Sequence, residues 1–194
     1  MCPHCGSLER TRLLLFYLQN ETLLFKRQLK LLHVAPEPCL QKIISQLNIE
    51  YIDADINPVN AKHVIDITSI PYPDNYFDLV ICSHVLGHIQ DESKAVSEIN
   101  RTLKPGCEAL ILTLLDHSNE TSEIPFLETD KERLRHYGEP DLKRLHGTDF
   151  AKRLEMKNWI VSCIDYKQLL PSQLHLLHQF GDGAREMIFK CTKR

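Results

Sequence analysis

Glycine is scarce in this chain, with 7 among 194 residues, and no G-x-G-x-x-G occurs anywhere. That pattern lets a backbone close on a dinucleotide pyrophosphate, so its absence argues against an NAD-linked oxidoreductase. Charge of one sign is equally lacking, since 23 Lys and Arg face 26 Asp and Glu for a net of −3 and a pI near 6.4. Such a balance argues against a general nucleic-acid or polyanion binder. No apolar run approaches the roughly 20 residues of a bilayer-spanning helix, and the N-terminus lacks the apolar core of a signal peptide. A soluble protein without a membrane partner is the expectation. Cysteines number seven, and Cys82, Cys107, Cys163 and Cys191 fall inside apolar, strand-like runs. Reduced, buried thiols fit that placement, and with them a reducing, cytoplasmic setting. A chain of this length is expected to bury one substantial core. It shows no internal repeat and no low-complexity segment, and its pattern is silent on oligomeric state.

The stretch that is present and informative is KLLHVAPEPC, residues 30–39. Leu31, Leu32, Val34 and Ala35 make an apolar run of strand length, and Pro36 and Pro38 cannot donate to a ladder, so the strand stops there. Residues 39–47 then place Leu40, Ile43, Ile44 and Leu47 at helical spacing. Strand, tight turn and helix form the first half of a βαβ unit, the usual seat of a nucleotide-like cofactor, here with a turn that contains no glycine. Residues 50–55, EYIDAD, read as the next strand, stopped by Ile56-Asn57-Pro58. Asp55 falls about 20 residues after the first turn, where an acid accepts hydrogen bonds from a ribose diol in dinucleotide-type folds; Asp53, two residues earlier on the same strand face, is the competing candidate. A third strand over residues 63–67 includes Asp66 near its end.

Residues 77–82 form a buried strand, and Ser83, His84 and His88 follow its carboxyl end, the edge where open α/β sheets place their ligands. The two histidines are four apart, a spacing that would suit a metal pair on a helix, yet no glutamate lies between them and no third ligand is evident. An amphipathic helix over residues 91–103, stopped by Lys104-Pro105-Gly106, precedes a fifth strand over 107–115. Residues 116–128 are polar and loop-like, a length uncommon without function. Between 131 and 153 basic residues outnumber acids, which suggests an electropositive wall for an anionic substrate or a solvated helical face. A helix over 150–156, a strand over 159–165, a short helix within 171–182 and a closing strand over 186–191 complete the pattern. At the other end, Cys2 and Cys5 in MCPHCGS resemble one knuckle of a zinc ribbon. Two thiolates are half a tetrahedral site, and no second CxxC exists in the chain to complete it, so zinc needs His4, a distant residue, a second chain or sequence further upstream. Ser7 is placed to cap a helix that carries Arg10 and Arg12 and lies across the domain as a lid.

The run VIDITSIPYPDNYFDLVICSHVLGHI, followed by LKPG before a strand, resembles the class I S-adenosylmethionine-dependent methyltransferases of the methyltransferase type 11 branch. The segments CPHCGSLERTR and HVAPE are similar to a bacterial group that opens with CPxCGSxxRxR and carries HxAPE in place of a glycine-rich loop. The resemblance implies a Rossmann-like, doubly wound α/β sheet of seven strands, mostly parallel with an antiparallel edge strand and helices on both faces, over residues 29–194, with residues 1–28 as a CxxC segment and lid helix. It implies S-adenosylmethionine as cofactor and a small-molecule methyl acceptor. Ala35 and Glu37 would meet the methionine and sulfonium end, Asp55 the ribose, Asp66 and Ile67 the adenine, and Ser83 and His84 the space beneath the methyl group. His84 or His88 would act as general base where the acceptor carries a proton. Gly87 stands where that family has a glutamate. A binding module that keeps the fold and acts through a partner is the competing expectation.

Overall fold

The computed structural model describes residues 1–181 and 187–194. Within them seven strands form one sheet: β1 (Lys30–Val34), β2 (Glu50–Asp55), β3 (His63–Val64), β4 (Phe77–Ser83), β5 (Leu103–Leu112), β6 (Trp159–Ile164) and β7 (Ile188–Lys193). Their spatial order is β3-β2-β1-β4-β5-β7-β6. All pairs are parallel except those of β7, which runs antiparallel to both β5 and β6 at one side of the sheet. Central strands are apolar on both faces because both are covered. Leu32, Val80, Cys82, Ala109 and Ile111 point into one core layer, while Leu31, Leu79, Ile81, Leu110 and Leu112 point into the other.

Helix α1 (Glu9–Glu21) and α2 (Pro38–Ile44) cover the second of these faces through Leu13, Leu14, Leu18, Leu40 and Ile44. The lid helix of the N-terminal segment is thus built into the same core as the sheet. Helix α3 (Glu92–Thr102) covers the first face with Ala95, Val96 and Ile99, joined by Phe150 from α5 (Phe150–Arg153). Between β5 and α5 lies an excursion that contains α4 (Asp130–Tyr137), and α6 (Ser172–His178) lies between β6 and β7.

Several expected boundaries move, each for a local reason. Ser7 does not cap α1: Leu8 occupies the cap position, and the Ser7 hydroxyl instead accepts from Cys5 Sγ at 3.2 Å and Arg12 Nη1 at 3.2 Å. Pro38, expected only to stop a strand, opens α2, where its missing N–H costs nothing. Helix α2 also closes at Ile44, short of the expected Leu47. Strand β3 keeps two residues of the expected five, because Asp66 turns the chain by accepting from Thr68 N and Oγ1, both at 2.8 Å. Strand β5 starts at Leu103 and ends at Leu112, with a register break between the Phe77 and Leu79 pairings that absorbs Lys104-Pro105-Gly106. Helix α5 ends at Arg153 rather than 156. The closing strand begins at Ile188; the first residue of the expected span, Glu186, lies outside the described residues, as does the end of the expected 171–182 helix.

Candidate active site at the carboxyl edge of the sheet

The two central strands end in the same unusual way. Ala35 follows β1 with φ 48°, and His84 follows β4 with φ 56°, both in the left-handed region that glycine normally fills. Ala35 N donates to Ala54 O at 2.7 Å and His84 N to Leu112 O at 2.8 Å, so each kink is held by the neighbouring strand. Strain of this kind costs about 1–3 kcal/mol per residue and gathers where a backbone must be re-aimed at a site. The glycine-free first turn is therefore made by Ala35, within a loop pinned at both ends.

Glu37 sits at the start of α2 and reaches across to β4, where Ser83 Oγ donates to its Oε1 at 3.0 Å. Its other oxygen is buried without a hydrogen-bond partner, 3.6 Å from His33 Nε2, a separation at which the pair interacts electrostatically rather than by a hydrogen bond. Burial pushes the Glu37 carboxyl up, but His33 and Ser83 outweigh it and hold it below the ordinary range. A buried, ionised carboxylate with one open oxygen fits a cationic ligand group such as an ammonium or sulfonium. His33 is fully buried in β1, its second nitrogen 3.0 Å from Tyr51 Oη.

Of the two competing acids on β2, Asp53 is buried and engaged by Gln41 Nε2 at 2.8 Å, His63 Nδ1 at 3.1 Å and Lys62 N at 3.3 Å. Asp55 is partly exposed at the strand end and holds a turn, accepting from Asn57 N at 2.7 Å and Asn60 Nδ2 at 3.2 Å. Asp55 is thus the acid with access to a ligand. Asp66 is exposed, whereas Ile67 is buried in the core, which leaves only its backbone at the edge.

His84 and His88 do not share a helix face. His84 precedes a 3-10 turn over Leu86–His88, and His88 closes that turn with Nδ1 3.2 Å from Asp141 Oδ2 and Nε2 3.8 Å from Glu139 Oε2. Within the basic 131–153 stretch three cations are consumed internally, while Lys131, Arg135, Lys143 and Lys152 are exposed. Arg144, 2% exposed, donates from Nη1 to Leu86 O at 3.1 Å and Ile89 O at 2.6 Å, and from Nη2 to Gln90 O at 3.0 Å and Glu123 at 2.9 Å. Arg133 clamps Pro140 O and Leu127 O, and Arg153 pairs with Glu92.

Sequence reasoning missed one chain of groups. Thr113, directly after β5, places Oγ1 2.7 Å from His146 Nδ1, and His146 Nε2 lies 2.7 Å from Glu92 Oε1 at the start of α3. All three are buried. Burial lowers the His146 pKa against the pull of Glu92, and Glu92 is itself held below its ordinary value by His146 and Arg153 despite burial. The neutral imidazole then donates from Nε2 to the carboxylate and accepts the Thr113 hydroxyl at Nδ1. The residues are 33 and 54 positions apart in sequence, so no motif announces them. Gly87 lies against the returning segment: a Cβ there would stand 2.8 Å from Leu142 Cδ2 and 3.3 Å from Arg144 O, with His146 Cε1 at an ordinary 3.8 Å. The excursion thus occupies the space beside position 87.

Cys2 and Cys5 lie in a turn closed by Cys2 N donating to Ser7 O at 2.8 Å and Gly6 N to Cys2 O at 2.9 Å. Hydrogen bonding with Ser7 and Cys2, aided by Arg12, lowers the Cys5 pKa. Cys5 borders a cleft of about 610 Å³ between this segment and α2, with Cys39 on the far wall. Among the described residues, no three metal-binding side chains gather around Cys2 and Cys5.

Comparison with known proteins then bears on this edge. Residues 39–111 match a family profile described as a methyltransferase domain. Over 65 residues the chain is 40% identical to the ubiquinone/menaquinone biosynthesis C-methyltransferase UbiE of Francisella tularensis subsp. tularensis (strain FSC 198), covering 34% of this chain and 22% of that protein. The UbiE protein of Vibrio cholerae is 37% identical over a similar stretch, 21% of its length. The chain therefore spans little of the curated relatives it matches. Among solved structures, the YcgJ protein from Bacillus subtilis superposes with a TM-score of 0.58 at 15% identity over 94% of this chain and 98% of that one. The [4+2]-cyclase SpnF gives 0.64 at 17% identity over 97% and 84%. These likenesses establish the Rossmann-like fold, and the domain match supports a methyltransferase.

Proposed function

We propose that this protein transfers a methyl group from S-adenosylmethionine to a small-molecule acceptor bound at the carboxyl edge of the sheet. The observation that carries the reading is Glu37, an ionised carboxylate buried between the ends of β1 and β4 with one oxygen lacking a donor. A sulfonium cofactor brings a positive charge and an ammonium group, and it has no pyrophosphate, which is why a glycine-free turn can serve. When bound, the cofactor supplies an electrophilic methyl group.

In this reading Ala35 and Glu37 hold its methionine end, Asp55 takes the ribose hydroxyls, Asp66 and the Ile67 backbone border the adenine, and Ser83 fixes Glu37 beneath the methyl position. Methyl transfer is a displacement at carbon, so much of the acceleration comes from holding donor and acceptor at near-attack distance. A protonated acceptor needs a base, and His84, next to Ser83, is the residue we assign, with His88 at the outer end of the same turn. Zinc at Cys2 and Cys5 has no role in this scheme.

Calorimetry with S-adenosylhomocysteine is the test. Micromolar binding that collapses in Glu37→Gln supports the site, and no detectable binding overturns it. A second reading, a non-catalytic module with the same fold, is favoured by Gly87, which leaves unfilled the acid that the resemblance implies there and has Leu142 packed against it. Cofactor binding without methyl consumption across an acceptor panel selects that alternative.

A further inference from the structure

The loop after β4 meets the segment after α4 in a cluster outside the proposed cofactor contacts. His88, Glu139 and Asp141 place one ligand atom each within 4.8 Å of one another. The His88 side chain is 27% exposed, but its Nδ1 atom is shielded from solvent and makes no hydrogen bond, although Asp141 Oδ2 is only 3.2 Å away; Glu139 Oε2 lies 3.8 Å from the other ring nitrogen. The distance is short enough for a hydrogen bond and the alignment is wrong for one. Two atoms that share an ion at about 2.1 Å stand about 3.0–3.4 Å apart for octahedral to tetrahedral angles, without pointing at each other. The orphaned nitrogen beside the carboxylate has that spacing.

The backbones that bear the three side chains are anchored independently. His88 N donates to Val85 O at 2.9 Å, closing its turn. Lys143 N donates to Gly87 O at 2.8 Å, and buried Leu142 packs over Gly87, which fixes Asp141 beside the turn. On the other side Gly138 ends α4 with φ 81°, and Arg133 Nε holds Pro140 O at 2.7 Å, which fixes the approach of Glu139. Rigid supports of this kind are what a metal site requires of its scaffold.

We propose that His88, through Nδ1, and Asp141 bind a divalent transition cation of the manganese-to-zinc type, with Glu139 turning in from the Nε2 side of the ring as third ligand. Two carboxylates and a neutral imidazole balance a dipositive ion, and one nitrogen with two oxygens suits this group better than calcium, which takes six to eight oxygens. Three protein ligands leave coordination positions for water or for an oxygen of the methyl acceptor, a role that rests on the methyltransferase reading, whereas binding of the metal does not. Metal ligation also takes a ring nitrogen of His88, which leaves base catalysis to His84.

The experiment is calorimetry of the metal-free protein with manganese chloride and, separately, zinc chloride, with S-adenosylhomocysteine titrated into every variant. We expect one saturable site for each metal, lost in His88→Gln and weakened in Asp141→Asn by more than about tenfold, since even residues that only support metal ligands contribute on that scale. The double variant Cys2→Ser, Cys5→Ser keeps the site. Bound manganese should show nitrogen coupling by electron-spin-echo spectroscopy that disappears in His88→Gln. No saturable binding overturns the proposal, as does binding that survives His88→Gln and Asp141→Asn but is lost with the two cysteines. Unchanged S-adenosylhomocysteine affinity across the variants separates failure here from failure of the cofactor site.

Discussion

Single residues decide the chemistry at the sheet edge. Replacing Glu37 by glutamine keeps the shape but removes the charge that Ser83 and His33 hold in place. Cofactor affinity, measured with S-adenosylhomocysteine, should fall by about 1–3 kcal/mol, the usual worth of a charged hydrogen-bonding partner. Asp55→Ala should cost a similar 1–3 kcal/mol; an unchanged affinity would transfer the ribose role to Asp53. His146 makes a prediction about pH. Its pKa is lowered by burial, so the unfolded chain takes up the proton first, and the contribution is complete above the ordinary histidine value of about 6.5. Stability should decline as pH drops below that value, with Thr113, Glu92, Arg144 and Arg153 facing the ring and Glu92 losing its own contribution at lower pH still. Urea midpoints at pH 7 and 5.5 should separate less in His146→Gln than in the parent.

Elements show which contacts can yield. A methyl group at Gly87 would press on the flexible tip of Leu142, whereas one at Gly147 would lie 2.2 Å from the backbone oxygen of Asn119. Gly87→Ala should cost about 1–3 kcal/mol, the range for overpacking that side chains can relieve. Gly147→Ala should cost more and release the 116–122 loop, visible as faster amide exchange there than in Gly87→Ala. The long segment after β5 was legible from sequence as an excursion, but its contacts were not. Arg144 and Arg153 read as free positive charge because their partners, the carbonyls of the β4 loop and Glu92, come from other parts of the chain, whereas Arg133 is clamped by nearby carbonyls of its own loop.

At the scale of the molecule, the seven cysteines are all free thiols, and their fate depends on the layer they occupy. Cys82 and Cys191 are buried in β4 and β7, and burial pushes the Cys82 thiol up to about 12. Cys5 and Cys163 are exposed. A thiol reagent should label Cys5 and Cys163 in the native protein, while Cys82 and Cys191 react only at the rate of unfolding. Among the described residues no helix is long and apolar enough to cross a membrane. Labelling of Cys82 as fast as Cys163 would contradict the two-layer core.

The sequence by itself determined the alternation of strands and helices, since runs such as 30–34, 50–55 and 77–83 carry their period and their stop signals locally. It also placed Glu37, Asp55 and Ser83 at strand ends, because a strand's end is a local event. Tertiary structure decided what those residues meet: Ser83 against Glu37 across 46 positions, Asp53 taken by Gln41 and His63, and His88 turned toward Glu139 and Asp141. Contacts between side chains distant in sequence depend on how strands are ordered and how loops return. No periodicity in the chain encodes that return.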